Sequence, residues 1–128
     1  MIQNSALLLL FSSFTIQANP ITFDCSVKEI LTFDKSAPEY WIKGNLEKRF
    51  IVSVDEEDVI VTSISDIFSS DTSKYKISTK EFGLIKAINN DSHSMHKTVI
   101  VDLDSGDSTI SIQGSFHTTV WLLGCKKQ

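Results

Sequence analysis

The sequence predicts an all-β domain, with room for one short helix: a small antiparallel β-sandwich or barrel stapled by one disulfide. Three observations predict it. Short segments alternate apolar and polar residues with the period of a strand, in which successive side chains point to opposite faces. Clusters of Asp, Ser, Asn and Gly separate those segments. The only cysteines, Cys25 and Cys125, stand near opposite ends of the chain, each on an apolar face.

Residues 1–18 carry no charged side chain, and Ala6 to Phe11 is a short apolar run extended by Phe14 and Ile16. A run of this length suits the core of a secretory signal peptide better than a membrane span, and cleavage after Ala18 is expected. No Lys or Arg precedes it, which departs from the usual pattern. The expected organisation is a signal peptide over 1–18 and a single β-rich domain over 19–128. The mature chain has no second long apolar segment, so no transmembrane segment is expected. The destination is secreted or periplasmic. In such a compartment an even cysteine count implies a bridge between Cys25 and Cys125.

The first strand of the mature domain is expected in Ile21 to Val27, where Ile21, Phe23, Cys25 and Val27 share a face. Ser26-Val27-Lys28-Glu29 also fits a helix capping box, so a strand running into one helical turn satisfies both signals. Residues 34–39 read as a loop around Ala37-Pro38. Tyr40-Trp41-Ile42-Lys43 reads as a short aromatic strand, and Gly44-Asn45 as the two-residue turn of a hairpin. The returning strand is Leu46 to Val54, with Phe50, Val52 and Val54 on one face. Asp55 to Asp58 makes a turn, and Val59 to Ile64 comes back.

Ser65 to Ser73 reads as a polar loop with an apolar anchor at Ile67 and Phe68. Tyr75 and Ile77 suit a short strand. Thr79 to Asn89 fits a short helix or a strand equally, with Gly83 lowering the helical odds. Asn89 to Lys97 has no apolar period and reads as a long loop. The densest β pattern is the final pair, Thr98 to Leu103 and Ser108 to Cys125, joined by the turn Asp104-Ser105-Gly106-Asp107. There Val99 and Val101 share a face, as do Ile110, Ile112 and Phe116. Gly114 interrupts the alternation.

A net charge of −4 argues against nucleic acid or an anionic membrane as partner. Imidazoles beside a carboxylate bind zinc, and an open position on the metal activates water. Asp91, His93 and His96 therefore form a candidate zinc site for a metal-assisted hydrolase, although their spacing lacks the helix that such a pair normally uses. His117 lies apart, on the last strand. Asp102, Asp104 and Asp107 resemble a calcium loop, but Gly106 and Gln113 occupy ligand positions, so a plain turn is expected. Asn90-Asp91-Ser92 is a glycosylation sequon in a eukaryotic source. Tyr40 and Trp41 are candidate partner-binding residues, since aromatic side chains concentrate at binding surfaces.

No catalytic constellation emerges and no cofactor other than zinc is suggested. The reading that follows is a small exported, non-catalytic domain binding a protein or a small ligand. The loops Asn89 to Lys97 and Ser65 to Ser73 and the Tyr40–Trp41 segment are its expected surfaces. Alternatives are the metal-assisted hydrolase and a structural envelope component.

Overall fold

In the computed structural model, residues 19–33, 36–90, 94–115 and 117–128 are described. The expected signal peptide, Asp91, His93 and Phe116 lie outside them. The elements are β1 (Ile21–Thr32), α1 (Glu39–Leu46), β2 (Arg49–Val54), β3 (Asp58–Ile64), β4 (Asp71–Glu81), β5 (Leu84–Asn89), β6 (His96–Asp102), β7 (Ser108–Gln113) and β8 (Thr118–Lys127). Each strand pairs antiparallel with the next, and β8 returns to β1, so the sheet closes into an eight-stranded barrel in simple chain order. Closure removes the unpaired edges that an open sheet of this size would expose.

The closing seam carries the disulfide. Cys25 on β1 lies directly opposite Cys125 on β8, and the two are bonded across a sequence separation of 100 residues. Arg49 reinforces the neighbouring β1–β2 pair with two hydrogen bonds to the Asp24 carboxylate, at 2.8 and 2.7 Å.

Alternation decides what is inside. Phe23, Val52, Val59, Val99 and Val101 are fully buried, and Phe50, Tyr75, Ile85, Ile110, Trp121 and Leu123 join them in the core. Outward positions carry Asp24, Arg49, Lys74, Lys76 and Lys86. A barrel that is apolar inside and charged outside is the inverse of one that faces lipid. Among the described residues no helix is long and apolar enough to cross a membrane.

The turns at one mouth are tied by their own side chains. The Asp55 carboxylate accepts the N–H groups of Glu57 and Asp58, at 2.9 and 2.8 Å. The Asp102 carboxylate accepts the N–H of Asp104 at 2.9 Å, which commits it to the β6–β7 turn. In that turn Gly106 is buried at a φ of +81°, and a Cβ there would lie 2.5 Å from the Phe23 ring. Only glycine allows both the angle and the contact. Phe23 and this turn plug the lower mouth.

Several local expectations need correction. Ser26 to Glu29 does not turn into a helix; β1 runs on to Thr32 and takes up its extra residue as a bulge between Val27 and Glu29. Thr79 to Asn89 is neither a helix nor a lone strand. It is a hairpin, β4 to β5, that turns at Phe82–Gly83. The final segment, 108–125, is two strands rather than one, with Gly114 at the turn between them, where its N–H donates to the His117 carbonyl.

The largest correction concerns Tyr40 to Asn45, which form helix α1 and not a hairpin. Pro38 supplies the fixed φ that starts the helix, and its carbonyl accepts the Trp41 and Ile42 N–H groups. Glu39 in the first turn and Lys43 in the last complement the helix dipole. Gly44 is there for close packing: a Cβ would lie 2.7 Å from the Phe68 ring.

Candidate functional site

The upper mouth is built differently from the lower. Along β3, β4, β5 and β6 the inward stripe turns polar at the same level. Val59 and Val61 give way to Ser63, and Tyr75 to Ser73 and Asp71. Ala87 gives way to Asn89, and Val99 to Lys97. The register places these residues side by side: Ser63 opposite Asp71, Val61 opposite Ser73, and Asn89 opposite Lys97. An interior position costs about 1–3 kcal/mol when its polar group has no partner. Four strands breaking the apolar stripe at one end therefore define a polar cup and not an extension of the core.

The cup has a volume of 90 Å³ and opens to solvent. Phe50, Val61, Tyr75, Ile110, Ile112 and Trp121 form its apolar wall and floor, and Lys48, Ser63, Asp71, Ser73 and Lys97 its polar rim. An eight-stranded barrel has an interior just wide enough to be filled by side chains or to hold one small ligand. Here the lower half is filled and the upper half is open.

Helix α1 and the β3–β4 loop arrange the rim. The Ser65 hydroxyl accepts the N–H groups of Ile67 and Phe68, at 3.1 and 2.9 Å, and so fixes the loop. Phe68 packs on Gly44. The Lys48 N–H donates to the Asn45 carbonyl at 3.3 Å as the helix ends. Lys48 Nζ lies 5.1 Å from the centre of the Phe68 ring and 5.9 Å from that of Trp121.

Three groups in the cup are electrostatically unusual. Burial lowers the Lys48 pKa, with the Asp71 carboxylate pulling the other way. No salt bridge joins Lys48 to a carboxylate among the described residues. Burial, assisted by Asp71, pushes the Tyr75 hydroxyl up to about 12. Trp121 is 7 % exposed, and its Nε1 is buried with no acceptor among the described residues. The cup thus holds two ammonium groups, Lys48 and Lys97, against one carboxylate, Asp71.

The residues singled out from sequence lie elsewhere. Tyr40 is 70 % exposed on the outer face of α1, whereas Trp41 is half-buried and shares a separate hollow with Pro38, His117 and Thr119. His96 begins β6 and is exposed. Its expected zinc partners, Asp91 and His93, lie outside the described residues. Among the described residues no group of three or more His, Cys, Asp or Glu could hold a metal. The Ser65 to Ser73 loop ends earlier than expected, because β4 starts at Asp71 and carries Ser73 and Tyr75 into the cup.

Sequence reasoning missed Lys48, Asp71, Tyr75 and Trp121 as site residues. The signal was present as period-two stripes that turn polar at one end, but each strand shows it only once its register is known.

Comparison of the chain with models of protein families, with curated proteins and with solved structures finds no match. The fold and the cup define the class: a disulfide-closed, up-and-down β-barrel with one open mouth rimmed by polar side chains.

Proposed function

We propose that this chain is a non-catalytic binding domain that holds a small, partly apolar ligand in the upper mouth of the barrel. The observation that supports it most is an open cup with an apolar wall and floor, rimmed by Lys48, Ser63, Asp71, Ser73 and Lys97. Catalysis would need a positioned acid, base or nucleophile at the same place. The cup's titratable groups are instead a tyrosine held neutral by burial, two lysines and one rim carboxylate.

Export to the periplasm or the exterior belongs to the same reading. A bridge of this kind persists in an oxidising compartment, and residues 1–18 have the composition of a signal peptide. Intact mass of the protein expressed from its full reading frame tests this part. A chain starting near Asn19 and lighter by two hydrogens before reduction supports export, and a full-length chain with free thiols refutes it.

Ligand binding is tested by the emission of Trp121 in a Trp41→Phe background, titrated with a panel of small apolar alcohols, acids and amines. A saturable change with at least one of them, lost when Ser73→Leu fills the cup, is the expected result. Flat emission across the panel would refute the binding reading.

A further inference from the structure

From the chemistry of the cup we infer that its ligand is a small monocarboxylate, with the carboxylate held by Lys48 and the acyl chain laid on Phe50, Val61 and Ile110. This inference rests on the binding function proposed above and adds the ligand's charge and size.

Charge follows from the inventory of groups. Lys48, Lys97, Tyr75, Ser63, Ser73 and Trp121 can all donate, and the two lysines outnumber the single carboxylate, Asp71. The Lys48 ammonium sits over two aromatic rings with no salt-bridged carboxylate, and the Trp121 Nε1 has no acceptor among the described residues. A carboxylate pairs with the Lys48 ammonium. A neutral alcohol pairs with it more weakly, and an amine would add a third cation to the rim. Charge-assisted hydrogen bonds are about twice as strong as neutral ones, which favours the acid further.

Size follows from the volume. A space of 90 Å³ is smaller than the roughly 150 Å³ that encloses a benzene ring. The buried part of the ligand is therefore a few carbon atoms. A larger body would protrude past the rim into solvent.

The test compares butyrate, 1-butanol and butylamine on the oxidised protein, read by Trp121 emission in the Trp41→Phe background. The expected order is butyrate at least tenfold tighter than butanol, with butylamine weakest. Lys48→Met should lower butyrate affinity at least tenfold and so remove that preference, and Lys48→Arg should retain it. Equal affinity for butyrate and butanol would overturn the carboxylate assignment and leave the binding function standing. So would butyrate binding that is unchanged by Lys48→Met. Absence of binding by all three, with Ser73→Leu indistinguishable from the parent, would overturn both. Should Lys48→Met fail to fold, the butyrate-to-butanol ratio of the parent protein decides alone.

Discussion

Lys48 holds its ammonium 5.9 Å from the centre of the Trp121 ring, while the Trp121 N–H finds no acceptor among the described residues. One residue comes from the end of helix α1 and the other from β8, so two distant parts of the chain meet at the cup. A half-buried cation kept where it gains no salt bridge is a poor choice for stability. Lys48→Met keeps the apolar stem and removes the charge. It should leave stability equal or raise it by up to about 1 kcal/mol in denaturant unfolding. A loss of more than that would mean that the ammonium supports the fold, and that its placement owes nothing to a ligand.

The Cys25–Cys125 bridge closes nearly the whole domain into one loop, with a sequence separation of 100 residues. In the chain-entropy model a loop of this size contributes up to about 4.7 kcal/mol. The double variant Cys25→Ala, Cys125→Ala should lose about 2–5 kcal/mol of unfolding free energy. Urea unfolding followed by far-ultraviolet dichroism measures it. A loss below about 1 kcal/mol would show that β1–β8 pairing holds the barrel closed unaided.

Phe82 occupies the first position of the two-residue β4–β5 turn at a φ of +53°, and its side chain is fully exposed. A bulky residue there bears backbone strain with no packing to offset it. Asparagine and glycine suit such a position. Phe82→Asn should stabilise the domain by about 1 kcal/mol, seen as a higher thermal midpoint. Destabilisation would mean that the Phe82 ring makes contacts that exposure does not reveal.

Tyr75 predicts the alkaline limit of the fold. Its hydroxyl is raised from 10.0 to about 12, first by burial and then by the Asp71 carboxylate. Lys48, Asp71 and Lys97 are the charged groups that share the cup with it. A folded pKa above the unfolded one contributes stability that is complete below about pH 10 and is lost as pH rises toward 12. Unfolding midpoints measured from pH 9 to 12 should fall more steeply for the parent than for Tyr75→Phe. Parallel curves would refute the assignment.

The barrel was legible where one physical rule acts alone. Phe50, Val52 and Val54 read as a strand because strict alternation with a buried face leaves no other solution. The cysteines read as a pair because both stand on apolar faces. Legibility failed where tertiary packing overrides a local signal. Gly44-Asn45 has the composition of a hairpin turn, yet Gly44 serves to admit the Phe68 ring and Asn45 is buried, its Nδ2 donating to the Trp41 carbonyl at 2.8 Å. Neither partner can be inferred from the dipeptide.

The cup failed to read for a related reason. Ser63, Ser73 and Lys97 look like ordinary outward residues until cross-strand register turns them inward. Trp121 reads as core because it is core, and the missing acceptor at its Nε1 is a property of three dimensions. Tyr40 and Trp41 are candidates because aromatic side chains concentrate at binding surfaces, whereas the aromatics that line the cup are Phe50, Tyr75 and Trp121.

The most direct test of the central claim is the indole N–H resonance of Trp121 in a nitrogen–proton correlation spectrum, followed during addition of butyrate. Trp41 supplies an internal reference, since it lies in a separate hollow. A saturable shift of the Trp121 signal with Trp41 unmoved, abolished by Ser73→Leu, is the predicted result. A Trp121 signal that stays fixed throughout the titration, and through a parallel one with butanol, would contradict the claim that the upper mouth of this barrel is a binding site.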